Sequence, residues 1–268
     1  MNTVQAIILG IVQGVTEFLP ISSSAHLLIT RRIFGLQESE SYLIFDAILH
    51  LATALVITFY FWDDIKKIMR PLFATYRSER GKELRTLMLI VVASIPAVVL
   101  GFTLEDYITD SLRGISVIVV TLVIGAFFLI LAEKMSQKIR GKSREQLSWV
   151  QALIVGLFQA TALIPGISRS GSTLSAGVFM GLSKIEAAKF AFLLGLPVLY
   201  GVGGIKLVQS LSQPGVSVNL IIAGSVAAII SGYLSIKILM YVVREKTLTW
   251  FAGYRIILAI ALLVFFVL

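Results

Sequence analysis

The sequence contains no cysteine, and charged residues fill only 14% of its 268 positions. The first absence excludes disulfides and thiolate chemistry. The second excludes a water-soluble fold, because a soluble domain of this length carries about a quarter charged residues to face water. No polar stretch is long enough for a separate soluble domain. What abounds is apolar, 57% of the chain, in blocks near or above the ~20 residues that cross a bilayer core. The net charge of +8 would suit nucleic acid, yet Lys and Arg sit mainly in loops between the apolar blocks. That placement sets orientation, and no nucleic-acid partner is expected. The start, Met1-Asn2-Thr3-Val4-Gln5, lacks the cationic region of a signal peptide and is expected to be retained.

Six apolar segments are long enough, or nearly so, to span: 43–62, 84–104, 114–133, 185–208, 218–241 and 251–268. Two others, 4–34 and 149–182, are cut by Pro20-Ile21-Ser22-Ser23-Ser24 and by Pro165-Gly166-Ile167-Ser168-Arg169-Ser170-Gly171. Each half is too short to span, so both segments are expected as helix–break–helix hairpins that enter the membrane and return. Laid without a gap on 150–170, residues 4–24 match at nine of twenty-one positions, Gln5, Gly10, Gln13, Ser22 and Ser24 among them. A weaker echo relates 94–99 to 225–230. The expected architecture is all-α, polytopic and a single integral membrane domain over 1–268. Its two repeats cover approximately 1–133 and 149–268.

Loop 63–85 holds Lys66, Lys67, Arg70, Arg77, Arg80, Lys82 and Arg85, and loop 134–148 holds Lys134, Lys138, Arg140, Lys142 and Arg144. Both are expected in the cytoplasm, with 105–113 and 209–217 outside. The first hairpin then enters from outside and the second from the cytoplasm, which makes the repeats inverted. Arg31 and Arg32 fall on the outer side as a local exception. Inverted repeats with broken helices at mid-membrane are a transporter-style architecture.

Non-helical backbone cannot face lipid, so both breaks must be buried in protein or line a wet cavity. The second half-helix of each hairpin begins at its break, and its free N–H groups and positive dipole end suit an anion. Arg169 stands beside one of them and pairs bidentately with phosphate oxygens. Serine clusters also cap helices and ease packing. A charge at mid-membrane, however, costs at least ~2.5–3.5 kcal/mol and marks function. Glu17 lies one turn after Gln13, and His26 follows Ser22 and Ser23 by four and three residues, each set on one helix face. A carboxylate, an imidazole and hydroxyls beside an anion site suffice for phosphoryl transfer. Position alone leaves Ser22, Ser23, Ser24 and direct attack by water open. Asp46 and His50, one turn apart, are expected to pair with each other or extend the site. Arg255 and Lys237 are expected to snorkel to the interface, Pro96 and Pro197 to kink spans, and Lys184, Glu186 and Lys189 to form a solvated cytoplasmic edge.

The run Gln13-Gly14-Val15-Thr16-Glu17-Phe18-Leu19-Pro20-Ile21-Ser22-Ser23-Ser24-Ala25-His26 resembles the first signature of bacterial undecaprenyl-diphosphate phosphatases, the bacitracin-resistance family, and residues 165–173 resemble the second. The resemblance covers the whole chain. It implies hydrolysis of undecaprenyl diphosphate to the monophosphate carrier of cell-wall synthesis, in the cell membrane, at a site opening to the outer face. It implies Glu17 as the key acid, Ser23 as nucleophile, His26 as its proton partner and Arg169 as diphosphate clamp. Gln13, Ser22, Ser24, Ser168, Ser170 and Thr173 are expected to bind substrate. A divalent cation, magnesium or calcium, is also implied, with Glu17 as its protein ligand. Gln13 stands where the family often has Glu, which removes one carboxylate from such a site. The competing reading is a secondary transporter or lipid flippase for polyprenyl phosphates. Partners are the lipid substrate, the surrounding lipids and, through the apolar span faces, a homodimeric copy.

Overall fold

The computed structural model describes residues 1–36, 39–73, 81–104, 107–108, 111–139, 143–144, 146–212 and 217–266. Arg77, Arg80, Arg140 and Lys142, used above for orientation, lie outside them, as do parts of both outer loops. The chain is all-helical, and no strand occurs among the described residues. Its helices are α1 (Thr3–Phe18), α2 (Ser23–Ile33), α3 (Glu40–Tyr60), α4 (Trp62–Phe73), α5 (Gly81–Thr103), α6 (Ile115–Lys138), α7 (Trp149–Thr161), α8 (Arg169–Phe179), α9 (Lys184–Ser212), α10 (Val218–Glu245) and α11 (Thr249–Phe266). Six of them, α3, α5, α6, α9, α10 and α11, are long and apolar enough to cross a membrane. Pro96 and Pro197 lie inside α5 and α9.

The two interrupted segments are helix pairs, α1–α2 and α7–α8, built by the same local devices. Asn2 and Ser148 cap α1 and α7 through a reciprocal box with Gln5 and Gln151. Gly10 and Gly156 then bring each first half-helix against a span. A methyl on Gly10 would lie 2.1 Å from the Gly224 carbonyl oxygen of α10, and one on Gly156 2.3 Å from that of Ala93 in α5. α1 thus packs along α10 and α7 along α5, while α3 packs on α9 and α6 on α11. Phe18 and Phe192, edge to face, close the core beneath the end of α1.

Three expectations change. Residues 62–73 are helical rather than loop: Trp62, Ile65, Ile68, Met69 and Leu72 recur at helical spacing, and Asp63 and Asp64 stand in the first turn with Arg70 in the last. The charge run hid that period. Lys184 and Lys189 are not a free solvated edge. Lys184 Nζ lies 3.1 Å from buried Glu133 and donates to the Lys246 carbonyl, and Lys189 reaches Asp64 at 2.7 Å. α6 also continues past 133, to Lys138. Lys237 is exposed beside the Tyr233 ring, but Arg255 does not snorkel and has no exposed surface.

Candidate functional site

Each break turns on a serine with positive φ. Ser22 has φ 76 and ψ 98, and Ser168 has φ 73 and ψ 113. Such backbone costs a non-glycine residue about 1–3 kcal/mol and persists where the surroundings impose it. Both serines cap the half-helix that follows, Ser22 Oγ accepting from the Ala25 N–H and Ser168 Oγ from the Gly171 N–H. Each Oγ also lies 3.2 Å from the hydroxyl two residues on, Ser24 and Ser170. The sharp reversal places Ser23 and Arg169 at the first helical positions, where unpaired N–H groups gather.

The two tips touch. Ser170 Oγ donates to the Leu19 carbonyl at 3.2 Å, and the Gly166 N–H donates to Ser24 Oγ at 3.4 Å. Across this junction Arg169 Nη2 donates to Glu17 Oε1 at 2.6 Å, and Ser23 Oγ donates to Glu17 Oε2 at 2.8 Å. Gln13 Nε2 adds a third contact to the carboxylate at 3.2 Å. Glu17 is buried, and the Arg169 side chain is 12% exposed. The guanidinium lies against Gly195 of α9, where a methyl would stand 1.7 Å from Nη1. Nη1 itself donates to the Ala191 carbonyl at 3.4 Å. Acid, hydroxyl and guanidinium from distant segments therefore share one chamber.

The imidazole at this carboxylate is that of His50, not His26. His50 Nδ1 lies 2.8 Å from Gln13 Nε2 and 3.2 Å from Glu17 Oε2. His26 Nδ1 instead donates to the Ser22 carbonyl at 2.7 Å, which leaves Nε2 as the acceptor of the Tyr254 hydroxyl at 2.6 Å. The pairing of Asp46 with His50 gives way to an Asp46–Arg31 ion pair, and Arg31 is buried. Of the remaining expected binders, Thr173 is buried and donates to the Arg169 carbonyl, and Ser22 and Ser168 are engaged as caps. Ser24 is exposed. Gly195 and Arg255 were missed as site-building residues, and of the two roles expected for His50 its place beside Glu17 fits the second, extension of the site. A polar residue embedded in an apolar span was the available signal for His50.

The fold and this chamber define a polytopic helical membrane protein with a buried carboxylate–hydroxyl–guanidinium site at the meeting of two helix breaks. The family profile described as bacitracin resistance protein BacA matches residues 6–261, and the chain belongs to that family. Among its relatives, the undecaprenyl-diphosphatase of Corynebacterium efficiens is 42% identical over 263 residues, covering 96% of this chain and 88% of that protein. Those of Chlorobaculum tepidum and Caldicellulosiruptor bescii are 41% and 37% identical, covering 98% and 100% of this chain and 97% and 99% of theirs.

Proposed function

We propose that the protein hydrolyses undecaprenyl diphosphate to undecaprenyl phosphate and inorganic phosphate, returning the lipid carrier to cell-wall synthesis. The relatives named undecaprenyl-diphosphatase support the reaction and substrate. The observation that carries the chemistry is Glu17, one carboxylate joining the Ser23 hydroxyl to the Arg169 guanidinium. In this reading Ser23 Oγ attacks the terminal phosphorus as its proton passes to Glu17 Oε2. The bond from phosphorus to the bridging oxygen breaks, and prenyl phosphate leaves. Water then releases phosphate from the serine. Of the five guanidinium donors of Arg169, two are engaged by Glu17 and Ala191, and the rest suit phosphate oxygens. The first-turn N–H groups of α2 and α8 suit the charge that builds in the transition state. His26, bonded to Tyr254, would act on Ser23 only at second hand.

Arg169→Lys is the direct test of the clamp. Lysine keeps the charge, but a single ammonium cannot hold Glu17 and offer a planar fork to phosphate. We expect kcat/KM for phosphate release to fall about 100-fold, and near-parental kinetics would remove the clamp from the mechanism.

The side chains present do not form a cage for a divalent cation. Glu17 Oε1 carries Arg169, Oε2 faces Ser23, Gln13 and His50, and no group of three potential acidic, histidine or cysteine ligands occurs among the described residues. The protein would therefore offer magnesium or calcium, the cation implied above, no ligand set of its own, and the chemistry such an ion would supply is neutralisation of diphosphate charge. Purified protein supplied with undecaprenyl diphosphate in detergent tests both points. Phosphate should appear, EDTA should abolish its release and either metal should restore it. Full turnover in chelator would dispense with the ion, and no phosphate under any condition would overturn the phosphatase reading.

The same proposal extends to topology. The basic ends of α4, α5, α9 and α10 would face the cytoplasm, the repeats would be inverted, and the site would open to the outer face of the cell membrane. The exposed apolar faces of the spans suit lipid and a homodimeric copy alike.

A further inference from the structure

Arg255 has no exposed surface, and every hydrogen-bond partner it has among the described residues is a backbone carbonyl. Nε donates to Leu122 and Nη2 to Thr121, both at 3.1 Å; Nη2 also reaches Gly166 at 2.8 Å and Nη1 reaches Pro20 at 3.1 Å. A buried guanidinium without a carboxylate partner is expensive to keep, so the place it occupies is informative. Pro20 stands three residues before Ser23, and Gly166 three residues before Arg169. The gapless alignment of the two interrupted segments pairs these same two positions. One side chain thus holds the equivalent carbonyl of each break, and α6 supplies the anchor for both.

The surroundings are shaped for that grip. Gly125 of α6 leaves the slot: a methyl there would lie 2.0 Å from Arg255 Nη2. Gly166, at φ +98, lies against Thr121, whose Oγ1 would be 1.9 Å from a methyl on it. Thr121 Oγ1 in turn donates to the neighbouring Pro165 carbonyl at 2.7 Å. Arg255 and Thr121 therefore fix the second break from α11 and α6, and Arg255 also ties it to the first, beside the Ser170–Leu19 and Gly166–Ser24 bonds.

We propose that Arg255 is a positioning residue that keeps Ser23 and Arg169 in one register by holding the carbonyl three residues ahead of each. This rests on the reading of Ser23 as nucleophile and Arg169 as clamp. A lysine has three donors on a flexible stem and cannot span carbonyls on three chain segments. Arg255→Lys, isolated as folded monodisperse protein, should lose about 100-fold in kcat/KM, the scale of an ångström-sized misplacement at a reacting centre. A residue that only packs helices would lose activity independently of the site, so its loss would multiply with that of Arg169→Lys. Positioning makes the two losses overlap, and the double variant should be at least about ten-fold faster than their product.

Thr121→Val provides a second route, because it is nearly isosteric and removes the grip on Pro165 together with a 3.1 Å contact to the Ile118 carbonyl within α6. It should cost about 5–10-fold, again overlapping with Arg169→Lys. If Arg255→Lys does not fold, this second cycle decides. Parental kcat/KM in Arg255→Lys or Thr121→Val, or fully multiplicative losses, would overturn the proposal. Parental turnover in Ser23→Ala or Arg169→Lys would instead overturn the reading beneath it.

Discussion

Ser23→Ala should reduce phosphate release by at least about 10³-fold, the scale at which loss of a catalytic nucleophile is felt. The expectation rests on one contact. Of the three serines at the first break, Ser23 is the one whose hydroxyl lies on Glu17, at 2.8 Å. Ser22 Oγ is engaged in capping α2, and Ser24 Oγ accepts the Gly166 N–H across the junction. Removing the Ser23 hydroxyl leaves the Glu17–Arg169 pair and both caps in place. The variant should therefore fold and bind lipid while failing to turn over. Phosphate release by purified protein in detergent checks this, with Ser24→Ala as the neighbouring control. A protein that only moved polyprenyl phosphates between leaflets would need no nucleophile and would keep its activity. Retained hydrolysis would point to water as the direct attacker.

Glu17→Gln should be nearly as damaging to turnover and far more damaging to the fold. The carboxylate is buried and receives Arg169, Ser23 and Gln13 at once. An amide keeps the shape but leaves the Arg169 guanidinium uncompensated in a low-dielectric interior. Breaking a buried ion pair from one side costs about 3–5 kcal/mol. Loss of a proton acceptor alone costs about 10²–10⁴-fold in rate. The two effects separate experimentally: thermal unfolding in detergent reports the first, and kcat on the folded fraction reports the second. Parental stability would mean that Arg169 finds another anion, and parental kcat would remove Glu17 from proton transfer.

Much of this chamber was legible in the sequence because its parts are local. Gln13 and Glu17 share a face by helical spacing, the breaks announce themselves by proline and small polar residues, and Arg169 stands out as a charge inside an apolar segment. What spacing cannot supply is which distant helix arrives opposite a face. His26 and His50 are both imidazoles in apolar helices, and the pattern favoured the one nearer in sequence. Packing of α3 against α1 brings His50 to the carboxylate, while His26 turns toward Tyr254. Arg255 failed for the same reason. Its position near a helix end suggested snorkelling, and the slot that buries it is made by Gly125 on another helix. Helix α4 was lost to a different cause, since seven basic residues between 63 and 85 masked the apolar period that makes Trp62–Phe73 a helix.

Gly195 is more than a neighbour of the arginine that covers it. Since a single added carbon would stand 1.7 Å from Nη1, any heritable enlargement at 195 must shift the guanidinium at 169 from its place. The two positions can drift only together, and a screen of random variants should find side-chain growth at 195 as crippling as loss of the charge itself.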